Sequence, residues 1–178
     1  MSLFSGIKKK QTKKRRDAQC KDIQSFIQVH FVRERDSARY AFNTLTLKSD
    51  PDRDACVEWY EKHGNPTSFA KIVECYVTDK ALDTALICSK AGLEPQYFDK
   101  LFASEYYRPG KGETLALCIG LKLNLEETRA LLKVSDYSLT NSIETDLIAR
   151  YFIENKIYSL GDLNYALQTL GGIKLKDL

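Results

Sequence analysis

Seven cations crowd the first sixteen residues: Lys8, Lys9, Lys10, Lys13, Lys14, Arg15 and Arg16, with no acid among them. Clustered Lys and Arg can neutralise nucleic-acid phosphates and release the counterions condensed there, which needs charge density but no particular fold. These seven belong to a total of 27 basic residues, which leaves 20 against 24 acids in residues 17–178. A basic arm therefore precedes a body of net charge about −4, and this asymmetry says more about partners than the formal total of +3. Few apolar groups accompany the charges, so the sequence predicts a flexible arm over residues 1–16. A merely solvated tail is the competing reading.

The other reactive side chains form no recognisable catalytic pattern. No P-loop, GxGxxG, HExxH or GxSxG motif occurs. Gly110-Lys111-Gly112 is short and follows Pro109, which suits a turn better than a phosphate loop. The pairs Glu126-Glu127 and Asp50-Asp52 fall where helix starts and turns favour acids anyway. Neither His30 nor His63 stands in a metal-ligand or nucleophile pattern. Cys20, Cys56, Cys75, Cys88 and Cys118 are odd in number, widely spaced and without a CxxC. Most of them read as small core residues in a reducing compartment, and together they form no disulfide framework. The sequence thus names no catalytic residue, no metal ligand and no cofactor, and points to a binding protein instead of an enzyme.

The elements that would position the basic residues follow from the pattern of apolar side chains. The chain has 178 residues, 43% of them hydrophobic and 29% charged, the composition of a soluble globular domain with an extension. No run of about 18 apolar residues exists, and the polar, basic start lacks the core of a secretory signal, so no membrane span and a cytoplasmic location are expected. A helix is expected from Asp17, with Ile23, Ile27 and Phe31 on one face and Phe26 nearby, although IQVHFV also fits a strand. Residues 40–47 are strand-like, 49–52 form a turn signal, 53–62 a short helix, and His63-Gly64-Asn65-Pro66 a break. Beyond it, Thr67 or Ser68 can cap a helix whose face is Phe69, Ile72, Val73, Tyr76 and Val77. Further helices are expected at about 81–91, 95–103, 112–122, 125–135, 142–155 and 160–170, the last closed by Gly171-Gly172.

The stretch TALICSKAGLEPQYFDKLFA, residues 84–103, carries the signature of two helices crossing steeply. Gly92 supplies a positive φ for the turn between them. Cys88 and Ala91 are small where the helices touch, and Ile87, Leu93, Phe98 and Leu101 are apolar anchors. Pro95 is expected in the first turn of the second helix, beside Glu94.

This order and spacing resemble the helix-turn-helix of the phage-repressor-like (Xre/Cro) family. The resemblance continues through the loop SEYYRPGKGE into ETLALCIGLKLNLEETRALL, where Thr114, Leu115, Leu117, Cys118, Leu121, Leu123 and Leu125 fall at the family's core positions. SIETDLIARYFIENKIYSLGDLN is similar to a bacterial variant with two extra C-terminal helices, which carries the likeness from about residue 68 to 170. The resemblance implies an all-α fold: a five-helix repressor-like helix-turn-helix core, an N-terminal extension and two added C-terminal helices. The corresponding division is a basic arm at 1–16, a mostly helical extension at 17–66, the helix-turn-helix domain at 67–138 and a helical pair at 139–178 that offers a dimer face.

The family likeness also implies a DNA-binding transcription regulator, from a group sometimes found near stress or phage-defence genes, that binds double-stranded DNA as a homodimer. The helix at 95–103 would enter the major groove with Gln96, Tyr97, Asp99, Lys100 and Ala103 outward. Gln can pair with adenine and Lys with guanine. Arg108, Lys111 and the N–H groups opening the next helix would meet phosphates. Of Tyr106 and Tyr107, one is expected to pack and the other to contact nucleic acid. Against this, residues 84–111 hold four cations and three acids, weak for a DNA face. The alternative is a protein-interaction adaptor or assembly subunit of a bacterial or phage defence or signalling system, with RNA binding through the basic tail as a third reading.

Overall fold

A computed structural model describes residues 3–31, 68–104 and 107–178. Among them the chain is all-α. The helices are α1 (Leu3–His30), α2 (Phe69–Asp79), α3 (Thr84–Ala91), α4 (Tyr97–Ala103), α5 (Lys111–Gly120), α6 (Leu125–Val134), α7 (Glu144–Glu154) and α8 (Leu160–Leu170), followed by a 3-10 turn at Leu175–Asp177. The strand-like stretch at 40–47, the turn at 49–52, the helix at 53–62, the break at 63–66 and Tyr106 lie outside the described residues. No described helix is long and apolar enough to cross a membrane.

The largest departure from the sequence reading is at the front of the chain. Residues 3–16 are the first half of a 28-residue helix, in place of the expected flexible arm. Lys, Arg and Gln are good helix formers, no proline interrupts the segment, and the second half of α1 is held by the body, which removes the cost of nucleation. Cys20 and Ile23 are buried, with Ile27 packed beside them. Phe31 lies just past the helix end and is exposed.

Capping residues fix most other boundaries. Ser68, not Thr67, caps α2, its Oγ accepting from the Lys71 N–H. Asp83 caps α3 in the same way. Asn124 and Glu127 form a reciprocal capping box at the start of α6. Gly92 ends α3 in the left-handed region at φ 63°, its N–H returning to the Cys88 carbonyl. Pro95 lies in the turn closed by the Tyr97 N–H on the Glu94 carbonyl, so α4 begins two residues later than expected and has seven residues.

Two apolar clusters share α5. One joins α2, α3 and α4 through Val73, Ile87, Phe98 and Leu101 to Leu117, Cys118 and Leu121. The other joins α1, α7 and α8 through Ile23, Ile148, Phe152 and Leu163 to Leu115, Ala116 and Ile119. Gly112 and residues 114 to 120 of α5 are all buried, as a helix with neighbours on every side requires. Gly120 is the contact point with α3: a methyl group there would stand 3.0 Å from both Ala91 Cβ and Ile87 Cγ2.

The apolar sides of α7 and α8 are filled by α1 and α5 of the same chain. The N-terminal helix and the C-terminal pair are one packed unit, not separate attachments, because α1 supplies the third wall that two helices alone would lack.

Candidate nucleic-acid interface

Asp162 holds the basic helix to the body. It lies in the first turn of α8, its side chain only 4% exposed. Arg15 Nη2 donates to Oδ2 and Arg16 Nε to Oδ1, both at 2.7 Å. Burial raises the Asp162 pKa, but hydrogen bonds from Arg16, Arg15 and Ser159 outweigh it and hold the carboxyl below its ordinary value. The Tyr165 hydroxyl donates to Asp17 one turn along, and Cys20 meets Thr169 beyond that. These pairs advance together in both helices, so α1 and α8 run parallel. Residues 3–14 therefore continue past the start of α8 by about 18 Å. Lys8, Lys9, Lys10, Lys13 and Lys14 are all exposed on that stretch.

The start of α8 also abuts the turn between α3 and α4. A methyl group on Gly92 would come within 2.8 Å of Leu160 Cδ2, and one on Gly161 within 3.2 Å of Arg16 Nη2. Two consecutive residues of α8 thus touch the turn and the root of the basic helix. The lysines leave the body beside Gly92.

Replacing Asp162 with Asn removes the charge that faces both arginines. Its expected cost is about 1–2 kcal/mol, given how much water reaches Arg15. Trypsin should then cut after Lys13 and Lys14 several-fold faster than in the parent, and an unchanged rate would contradict the anchoring role. The same contribution has an acid limit. The folded pKa is depressed, so the stabilisation is complete above the unfolded value near 3.8 and fades only as pH falls below it.

The other sequence-predicted contacts are divided by the fold. Gln96, Asp99, Lys100 and Ala103 are exposed as expected. Tyr97 is not: it is 5% exposed and packs edge-on to Phe98 and Tyr107, because it is the first residue of α4 and faces the α5 side. Lys100 Nζ lies 2.6 Å from Glu94 Oε2, and Arg108 pairs with Asp136. Lys111 is drawn inward to Asp146, a fully buried carboxylate that also accepts from the Thr140 N–H. A lysine committed to a buried acid is not available to a phosphate. The first turn of α5 meets the C-terminal segment at Leu175. Tyr107 packs edge-on to Tyr97, its hydroxyl donating to Glu113. Its phenol is pushed up to about 12 by burial and by that carboxylate.

Sequence reasoning misses Asp162 and Asp146. Each reads as an ordinary acid in a helix's first turn, and their partners are 146 and 35 residues away. It also gives no sign of the exposed apolar residues Leu86 and Phe102, 50% and 42% accessible on α3 and α4. Of the expected contacts, the fold leaves the five lysines of α1 on an exposed helix and Gln96, Lys100 and Arg108 on the surface around α4. A comparison of the chain with protein-family models, with curated proteins and with solved structures finds no match, so the likeness to phage-repressor-like proteins rests on the residues quoted for it.

Proposed function

We propose that this chain is a DNA-binding transcriptional regulator whose main phosphate contact is the basic half of α1, with α3 and α4 acting as a helix-turn-helix. In this reading α2 to α6 form the five-helix repressor-like core, α4 enters the major groove, and α1 runs alongside onto the backbone. The observation that carries it is the position of Lys8 to Lys14, exposed on a helix clamped through Arg15 and Arg16 beside the Gly92 turn. A basic helix rooted next to a groove-reading turn adds affinity without sequence preference and leaves selection to α4. Gln96 and Lys100 are the base-reading candidates and Arg108 a phosphate contact. Tyr97 and Lys111 have no part in it.

A seven-residue α4 offers few base contacts, so binding as a homodimer belongs to the proposal, through a surface other than the apolar faces of α7 and α8. The test is duplex binding with a site selected from random sequence. Lys100→Ala should weaken the selected site about tenfold while changing random duplex little, because a base contact discriminates by about 1–3 kcal/mol. Equal losses on both would make Lys100 a phosphate contact only. No duplex binding at low salt would end the proposal.

A protein-interaction role is favoured by one observation: Leu86 and Phe102 put apolar surface on the two helices where a DNA face would be polar. Binding of a partner protein that survives nuclease treatment and is lost with Phe102→Ser would support that reading over DNA.

A further inference from the structure

We infer that Thr12 is a phosphorylation site for a protein kinase that selects basic substrates, and that the phosphate it takes weakens the hold of α1 on nucleic acid. Thr12 is the only hydroxyl-bearing residue in 8–16. All seven cations of that stretch lie within four residues of it, Lys8, Lys9 and Lys10 before and Lys13, Lys14, Arg15 and Arg16 after. A kinase with an acidic substrate groove chooses its hydroxyl by such charge, above all by cations shortly before it, where Lys9 and Lys10 stand.

The fold presents this hydroxyl. Residues 8–15 are all exposed, Thr12 among them. Its Oγ donates to the Lys8 carbonyl at 3.0 Å, within the same helix, and bonds to nothing else among the described residues. Neither apolar cluster includes a described residue before Cys20, and the first described bond from α1 to the body is that of Arg15. Thr12 therefore lies on the free side of the anchor. Opening the end of a helix ahead of its first anchor leaves the packed part intact, so this stretch can enter a kinase cleft in extended form while Cys20 and Ile23 stay buried.

The reaction is a phosphoryl transfer from a nucleoside triphosphate. Thr12 Oγ bonds to the γ-phosphorus, the bond from that phosphorus to the β–γ bridging oxygen breaks, the diphosphate leaves with the electron pair, and the hydroxyl proton passes to a carboxylate of the kinase. The product alters α1. Phosphothreonine carries about −1.5 to −2 charges, so seven positive charges fall to about five. Arg15 and Arg16 follow Thr12 by three and four residues, the neighbouring positions on a helix face. The Arg15 side chain is 62% exposed and can turn from Asp162 to the phosphate, while Arg16, 30% exposed, keeps its own bond. Helix α1 stays docked, and its outer half carries a fixed anion among the lysines. The site depends on α1 alone; its effect on binding rests on the proposal that α1 meets nucleic acid.

The experiment incubates the full chain with ATP, magnesium and the catalytic subunit of a cyclic-AMP-dependent protein kinase, and in parallel with a kinase that prefers acidic substrates. The expected result is one phosphate per chain from the first enzyme, mapped to Thr12 by mass spectrometry after cleavage at Asp17, and little from the second. Thr12→Val should abolish it, and Lys9→Gln with Lys10→Gln should slow the transfer about tenfold. The phosphorylated chain should bind a labelled duplex at least about tenfold more weakly, with a salt slope smaller by about 2, as the loss of two phosphate contacts requires. The site falls if the folded chain takes no phosphate or if labelling persists in Thr12→Val. Its effect falls if the two forms bind duplex alike. Phosphate on Thr12 in a chain that binds no duplex in either form would keep the site and end the regulator reading.

Discussion

Exchanging Lys8, Lys9, Lys10, Lys13 and Lys14 together for glutamine should make duplex binding far less sensitive to salt. Each phosphate neutralised on a duplex contributes about 0.9 to the slope of log affinity against log salt, so five lost contacts reduce it by about 4 to 5. That loss exceeds the tenfold effect expected of Lys100→Ala on a selected site. Glutamine keeps the helix propensity of this stretch close to that of lysine, so the geometry survives and only charge is removed. Arg15 and Arg16 are left in place because Asp162 already engages them, and their removal would confuse anchoring with phosphate contact. The measurement is fluorescence anisotropy with a labelled duplex from about 50 to 200 mM salt. An unchanged slope in folded protein would show that the α1 lysines do not touch the backbone.

The second large effect is on stability, from one methyl group. In Gly112→Ala the new Cβ would lie 1.8 Å from the Leu175 carbonyl oxygen and 2.9 Å from its carbon. Both are backbone atoms, so no side chain can rotate away. Helix α5 cannot yield, because both apolar clusters are built on it. The C-terminal segment must lift instead. Leu175, 2% exposed, would lose its burial, worth about 1.5–3 kcal/mol. The bond from its N–H to Asn164 Oδ1 adds about 0.5–1.5 kcal/mol. The expected total is about 2–4.5 kcal/mol by urea unfolding, with faster proteolysis near Lys174 and Lys176. Gly110→Ala is the control, since nothing stands within 4 Å of a Cβ there, and it should change stability by less than about 0.5 kcal/mol. Similar stabilities for the two variants would mean that the segment is not seated on Gly112.

Local features are legible in the sequence and distant pairings are not. The face of α2, the positive φ at Gly92 and the burial of Ile87, Ala91, Phe98 and Leu101 follow from spacing and from what a tight turn demands. Thr114, Leu115, Leu117, Cys118, Leu121 and Leu123 are buried at positions that the family resemblance, not spacing, marked as core. Cys20, Cys88 and Cys118 are buried as small core residues, and the Cys118 thiol is pushed up to about 12 by burial. The sequence misleads where a charged side chain meets a partner far along the chain. Lys111 reads as a free cation beside a glycine turn until Asp146 folds against it. Residues 1–16 read as a solvated arm because the acid that steadies their last turn lies 146 positions later. Tyr97 reads as outward because a seven-residue helix has too few apolar residues to define its inner face.

The burial of α5 from both sides has a thermodynamic consequence. Strip away the cluster around Phe152 and Ile148, and Leu115, Ala116 and Ile119 are thrown into water; strip away the one around Phe98 and Leu101, and Leu117, Cys118 and Leu121 follow. Neither half is expected to melt on its own. Calorimetry of the described helices should register one cooperative endotherm, and a fragment excised at residues 68–135 would be a sticky, partly molten species instead of a working module.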